Sequence, residues 1–540
     1  GLLVGGIPLG DDTYVAQELH IVTTRIESYI HTTGEQLRDE SQDAWSLGLY
    51  CLSPDFDHWL RHVPPAMTSP FAARVDSALM CYLGELVRQP PSGWREIVLR
   101  RIRQPARRHG MGMRSRFTLA PCGFSACFVE CAEAMVDGGD LGPLFPTLIG
   151  TFGAGAFVDG GSRFDRFLQS GLPTAAAFAV AWAGMRAEVA GVGVRGPLDM
   201  VAASAGSGGV RHLQRQITEQ RELVSSRALH TDMLALHASD PVRQAWLSAD
   251  RFSTQFVTAV PTERRACVDA EFREMIATYL GLPSPCLMAV VGLPIPCSHA
   301  GRHRGRLCDR HGHHLDCATL PGHGWDDQHD EVQDTVLSSV LAVLDGRRTP
   351  RDIFVGAIPP AVLQRQRGLA RSGIIPDGLV RDVPFEGRGR DARGARRGVV
   401  HLLDFKMLHL GVEQYGRPSD QRAQAVRIRA DAVHPAYVRQ ARVHDQEYHQ
   451  VMAAQVAAGQ VAAGPILTVL ESYPRVRGLV FGAYAEASPD VHTLAAATAS
   501  AGAGAWRELG ARSRAEARAF LARALYADWG IAAGRAAARM

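Results

Sequence analysis

Ile374-Ile375-Pro376-Asp377, a Gly/Arg-rich loop from Gly387 to Gly398, and then Val399-Val400-His401-Leu402-Leu403-Asp404-Phe405-Lys406 form the stretch that decides how this chain is read. The second run reads as a buried strand. Its side chains alternate with period two, so Asp404 and Lys406 point to the same side. A carboxylate at a turn, with a carboxylate and an ammonium on the adjacent strand, makes a site for a divalent cation. Asp377 and Asp404 would hold Mg²⁺, and Lys406 would orient an attacking water or steady the pentavalent phosphate. An isolated P-D or D-x-K pair is ordinarily surface decoration on a strand, but two observations change the weighing. Lys406 is the only lysine among 58 basic side chains, and a dense Cys/His cluster lies just upstream.

The chain also contains no asparagine. Lysine and asparagine codons are AT-rich, whereas Arg, Ala and Gly codons are GC-rich, so drift towards GC converts tolerant lysines to arginine. A lysine that survives is a candidate for chemistry a planar, permanently charged guanidinium cannot perform.

The cluster runs from Cys297 to His323 and holds Cys297, Cys308 and Cys317 with His299, His303, His311, His313, His314 and His323. Thiolate and imidazole are the ligands zinc prefers, and closing four around the ion orders a loop too poor in apolar residues to fold alone. The most economical set is Cys297, Cys308, His314 and Cys317, with His313 or His311 as substitutes. The alternative is a solvated His/Arg-rich loop. Between cluster and strand, Asp334, Val336, Leu337, Val340, Leu341 and Leu344 predict a helix.

Upstream, Val15, Leu19, Val22, Ile26 and Ile30 recur at three- and four-residue steps behind Asp12-Thr13, predicting a helix over Tyr14–Ile30. Further apolar runs end at Ser53-Pro54 and at Pro64-Pro65. Gly10-Asp11-Asp12 is read as a cap, because no second carboxylate cluster accompanies it. Cys122, Cys127 and Cys131 lie on an apolar helical pattern and read as core. Arginines crowd Arg95–Arg116; Arg101, Arg103, Arg107, Arg108 and Arg114 are the candidate phosphate contacts, against the alternative of a solvated face. Arg427, Arg429, Tyr437, Arg439 and Arg442 form a second such stretch.

The 540 residues, 46% hydrophobic and 21% charged, suffice for two to four packed domains and exclude wholesale disorder. A net charge of +3 names no partner, so a nucleic-acid surface must be local. Ten cysteines do not make a secreted disulfide scaffold. The most apolar stretch, Leu172 to Met185, is shorter than the ~20 residues that span a bilayer. The chain starts at Gly1 in what reads as the end of a strand (Leu2, Leu3, Val4), as a fragment of something longer would.

Pro376-Asp377 followed by Asp404-x-Lys406 resembles the PD-(D/E)xK restriction-like endonuclease pattern, and a Cys/His cluster directly before it resembles the nuclease end of site-specific non-LTR retrotransposon polyproteins. Gly6-Ile7-Pro8-Leu9-Gly10, the helix starting Tyr14-Val15, Gln104-Pro105-Ala106-Arg107 and Gly110-Met111-Gly112-Met113-Arg114-Ser115 resemble the segment after the reverse-transcriptase palm of such proteins. The resemblance covers most of the chain, least between Leu119 and Leu282. It implies a hydrolytic, Mg²⁺-dependent enzyme with structural zinc, DNA and the element's RNA as partners, and a nuclear location; its nick would open a 3′ end for target-primed reverse transcription. No Tyr-x-Asp-Asp motif is present, so polymerase activity is not expected. The family's further acidic residue, from the helix ahead of the PD strand, is assigned to Glu331.

The expected architecture is multidomain. A helical N-terminal half comprises a thumb-like region 1–118 and an Ala-rich linker 119–295. A zinc loop at 296–325, an α/β restriction-endonuclease-like domain at 326–485 and a helical tail at 486–540 follow. The competing reading is a non-enzymatic nucleic-acid-binding remnant of a retroelement protein, with a purely helical scaffold as a third.

Overall fold

The computed structural model describes residues 1–136, 173–190, 213–295, 306–313, 324–348, 376–385, 399–408, 415, 423–460 and 464–539. It is mostly helical with small sheets, and the chain divides into two compact units, Gly1–Ala235 and Leu236–Met540. No helix among the described residues is long and apolar enough to cross a membrane.

In the first unit, β1 (Leu2–Val4) and β2 (Ile7–Leu9) pair antiparallel across Gly5-Gly6. Both glycines have positive φ (59° and 83°), which a two-residue hairpin turn requires. The predicted first helix is α1 (Asp12–Gln36); its cap is Asp11, whose carboxylate accepts the Tyr14 N–H at 2.9 Å. It buries Val15, Leu19, Ile26 and Ile30 against α4 (Pro65–Leu86), after α2 (Ser41–Leu47) and α3 (Asp57–His62). Among the described residues the helices α5 (Glu96–Arg103), α6 (Arg116–Val136), α7 (Pro173–Ala190) and α8 (Leu213–Ala235) follow. Asp76, buried on α4, accepts from the Arg116 N–H (2.8 Å), the Phe117 N–H (3.2 Å) and the Ser115 hydroxyl (2.6 Å). One helix thus caps the orphan donors of another. Cys122 and Cys127 are buried on α6, as its apolar pattern predicted.

The expected boundary at 118/119 falls inside α6, and the unit ends after α8. The second unit begins with α9 (Pro241–Ser248) and α10 (Asp269–Leu280). Its longer elements among the described residues continue with α11 (Gly324–Leu341), β3 (Gly346–Arg348), β4 (Gly378–Arg381), β5 (Val400–Met407), α12 (Gln424–Ala457), α13 (Pro465–Glu471), β6 (Arg477–Phe481), α14 (Pro489–Gly502) and α15 (Arg514–Ala538). The sheet order is β3-β4-β5-β6, with the first two pairings antiparallel and β5-β6 parallel.

Period-two alternation sorts the strand side chains into two layers. Val380, Leu403, Phe405, Leu479 and Phe481 join Val332 and Val336 of α11, Val491 of α14 and Trp529 of α15 in one core. Leu379 and Leu402 meet Val433, Tyr437 and Ala441 of α12 and Ile466 of α13 on the other face. Two expected boundaries therefore move. Residues 486–540 supply ten of the 23 buried residues of the main core rather than forming a tail, and Phe252, from the expected linker, lies inside it. Phe252 contacts the rings of Phe481, Tyr526 and Trp529, and Gly530 admits it, since a Cβ there would meet the Phe252 carbonyl at 2.4 Å.

Glu486, fully buried behind β6, accepts from the Tyr415 hydroxyl (2.7 Å) and the Tyr484 N–H (3.0 Å). Burial pushes its carboxyl up to about 7. A raised carboxyl pKa favours the protonated folded state, so this contribution is fully present below the unfolded value near 4.5 and is lost as pH rises through about 7. Urea titrations between these pH values should show stability falling, with a slope approaching ~1.4 kcal/mol per pH unit from this group. Glu486→Gln should remove that slope; an unchanged profile would show that Glu486 is ionised in the fold.

Candidate active site

Beginning with β5, a middle strand, the layer assignment settles where its polar residues go. Odd positions fill the core beneath α11, so Asp404 and Lys406 share the face covered by α12. The Asp404 side chain is only 3% exposed. Lys406 Nζ donates to its Oδ1 at 3.0 Å, and the Tyr437 hydroxyl donates to the same oxygen at 2.7 Å. Oδ2 is buried with no hydrogen bond of its own, although the ammonium lies 2.9 Å away. Burial raises the Asp404 pKa and the neighbouring charge of Asp377 raises it further; the Lys406 ammonium and the Tyr437 hydrogen bond oppose both. Burial and Asp404 together hold Tyr437 far above the usual phenol range, so it remains a donor.

Asp377 precedes β4. Its N–H donates to the Leu403 carbonyl (2.8 Å) and its Oδ2 accepts the Phe405 N–H (2.6 Å), so it extends the ladder beside Asp404. The structure thus brings Asp377, Asp404 and Lys406 together, at the middle of the sheet's width rather than on an edge strand. Glu331 is not brought to them. On α11 its two oxygens are taken by Arg535 (2.5 Å) and Arg539. The α11 residue that reaches the site is His329, with Nε2 3.5 Å from Asp377 Oδ2. Its hydrogen bond to Asp377 is the main cause that raises it to about 9. It is therefore a cation at neutral pH, able to donate but not to act as a general base.

Tyr437 is the residue whose role sequence reasoning missed. The signal was present, because Tyr437 falls on the helical stripe of Val426, Ala430, Val433 and Ala441, all buried. By contrast Arg427, Arg429, Arg439 and Arg442 are exposed. Gly478 has an equally indirect part. It pairs with Asp404 across β5-β6, and a Cβ there would lie 2.8 Å from the Ala430 carbonyl, so glycine lets α12 approach closely enough for Tyr437 to reach the carboxylate.

Among the described residues no three His, Cys, Asp or Glu side chains gather into a ready-made metal cage. Mg²⁺ does not need one, since it is commonly held by one or two carboxylates completed by water and substrate phosphates. Two aspartates, one with a buried oxygen lacking a hydrogen bond, fit that habit.

Of the expected zinc ligands, Cys297, His314 and Cys317 lie outside the described residues. Cys308 is buried on a short ladder in which its N–H donates to Leu293 and its carbonyl accepts from Gly292, both at 2.8 Å. Burial pushes its thiol up. His311 Nδ1 faces the Leu282 carbonyl at 3.2 Å and His313 Nδ1 faces Asp309 Oδ1 at 3.3 Å. An oxygen at Nδ1 orients a metal-binding imidazole and leaves Nε2 for the ion. Burial lowers His311 to about 4, so it is neutral, as a ligand must be.

The first unit's arginines divide. Arg101 is fully buried and donates from Nε to the His109 carbonyl at 3.1 Å, so it is a structural residue rather than a phosphate contact. Arg103 and Arg108 are half-buried. Arg107 and Arg114 pair with Glu222 at 2.6 and 2.9 Å.

No protein-family model matches the chain, and no curated protein matches it.

Gly478→Ala should push α12 off β6 and cost about 1–3 kcal/mol, the usual range for overpacking. Chemical denaturation measures the loss. A variant as stable as the parent would show that α12 can shift without strain.

Proposed function

We propose that the unit Leu236–Met540 is a Mg²⁺-dependent phosphodiesterase of restriction-like, PD-(D/E)xK type that nicks DNA, and that the chain derives from a non-LTR retrotransposon protein. One observation carries this reading: a buried carboxylate and the protein's only lysine stand side by side on a middle strand, with a second aspartate bonded to the next backbone N–H. That the lone lysine sits against the carboxylate is what a site selected for an ammonium requires.

In this reading Asp377 and Asp404 hold the ion. When bound, it supplies Lewis-acid polarisation of the scissile phosphate and lowers the pKa of water at the site. Tyr437 fixes the rotamer of Asp404 by donating to Oδ1 and so aims Oδ2. Lys406, a third exposed, leaves Asp404 to orient the water or meet the charge growing on the phosphate. His329 occupies the place where the resemblance puts a further acid, and its proton is available to a phosphate oxygen or to Asp377. Cys308, with His313 or His311 standing in for His314, serves as one ligand of a structural zinc site with Cys297 and Cys317. DNA and the element's RNA are the partners and the nucleus is the compartment.

A second reading keeps the fold and drops the catalysis. Both carboxylates already have internal partners, Lys406 on Asp404 and His329 on Asp377, as a nucleic-acid-binding remnant with a decayed site would.

Conversion of supercoiled plasmid to open circle with Mg²⁺, and its loss in EDTA, separates the two. Lys406→Arg should lower nicking by ~10²–10³-fold, the cost of losing one placed donor, while DNA affinity and its salt dependence persist because the charge is kept. Parental nicking by that variant would make Lys406 an accident of drift, and absence of nicking by the parent would favour the remnant.

A further inference from the structure

A cavity of about 430 Å³ in the first unit is lined by four arginines from separate parts of the chain: Arg61 on α3, Arg107 and Arg114 between α5 and α6, and Arg215 on α8. Spacing along the sequence does not group them, but the fold does.

Two carboxylates on α8 hold this cluster in place. Glu222, 10% exposed, stands 2.6 Å from Arg107 and 2.9 Å from Arg114. Glu219 is more open, at 36%, and lies 3.0 Å from Arg215 and 3.4 Å from Arg107. Residues 215, 219 and 222 follow at three- and four-residue steps, so they share one face of α8. Arg107, Arg114 and Arg215 are paired with these two carboxylates, and Arg61 brings a fourth guanidinium to the same cavity. The pairing is uneven: Glu222 is sunk among its arginines, whereas Glu219 sits at the lining, where an incoming anion would meet it.

The remaining wall is Gln214 and Thr218, amide and hydroxyl groups able to donate hydrogen bonds. Among the described residues no aromatic lines the cavity, so the lining they form offers no surface for base stacking. Oriented guanidinium forks match phosphate oxygens and carry no sequence information.

We infer that this cavity binds the phosphate groups of a single nucleic-acid strand, and that Glu219 is a resident competitor that the phosphate displaces from Arg215 and Arg107. Arg61 and Arg215 thereby join a phosphate site that excludes the buried Arg101. The inference does not depend on the nuclease reading, because every residue it uses belongs to the first unit.

The full chain is titrated without added Mg²⁺, where Mg²⁺-dependent cleavage is silent, into a fluorescent oligothymidylate at several salt concentrations, with inorganic pyrophosphate as a second probe. Glu219→Gln, which keeps an acceptor for Arg215 but removes the charge, should tighten oligothymidylate binding severalfold. Arg215→Ala should weaken it and reduce the salt slope by ~0.7, the contribution of one single-strand phosphate contact. A circular-dichroism melt of Glu219→Gln matching the parent shows that its gain in affinity arises in the folded protein, so this variant keeps the test valid if an arginine variant is unstable. Unchanged affinity and slope in both variants would overturn the inference. If the variants change pyrophosphate binding and leave oligothymidylate binding untouched, the strand is the wrong source and the assignment falls.

Discussion

The Asp404 carboxylate, buried on a middle strand, is the constraint around which the second unit is arranged. A charge taken out of water is stable only when closely partnered, and breaking such a pair by removing one member costs about 3–5 kcal/mol. Here the partners are an ammonium two residues along the same strand and a phenol from the covering helix. Each sets a further requirement. The ammonium must lie on the same face, which fixes Asp-x-Lys at the strand period, and the phenol must come down onto the sheet, which demands glycine opposite Asp404 on β6. Arginine would bring a larger planar fork into the space between strand and helix.

The parts of this arrangement that could be read in the sequence are those in which cause and effect are close along the chain. A strand's period of two carries Asp404 and Lys406 together, and helical period and a cap residue define α1. What could not be read depends on distant encounters. Glu331 precedes Val332, a core residue of α11, so it sits about 100° round the helix from the buried stripe. Whether that flank meets the aspartates or something else depends on Arg535 and Arg539 at the end of α15, and nothing near Glu331 announces them. Tyr437 is an intermediate case, because periodicity points it inward but only the β5-β6 register brings it to Asp404.

The same reasoning explains the moved boundaries. Alanine-rich helices carry weak directional signals, and an apolar residue such as Phe252 looks alike in a linker and in a core. The decisive fact is a space that fits it, made by Gly530 on α15 and the rings of Phe481, Tyr526 and Trp529. Segments on either side of the sheet strands in sequence therefore complete one core. The anchor is polar as well as apolar, since Asp250 accepts the Ala487 N–H at 2.8 Å and lies 3.1 Å from His492 Nε2.

A common electrostatic logic links the two basic sites. In each, a cation is held by an internal carboxylate: Lys406 by Asp404, and Arg107, Arg114 and Arg215 by Glu219 and Glu222. The internal partner orients the cation before a ligand arrives, which spares the ordering entropy a free side chain would lose on binding. It also sets a threshold, because a ligand must outcompete an interaction already made. How high that threshold stands depends on burial. At Asp404, 3% exposed, a lysine that departs leaves a buried carboxylate without its cation, so displacement there is costly. At Glu219, 36% exposed, water solvates the released carboxylate, and an anion can take the arginines by itself. Difference in depth alone thus sets the higher threshold at Asp404 and the lower one at Glu219.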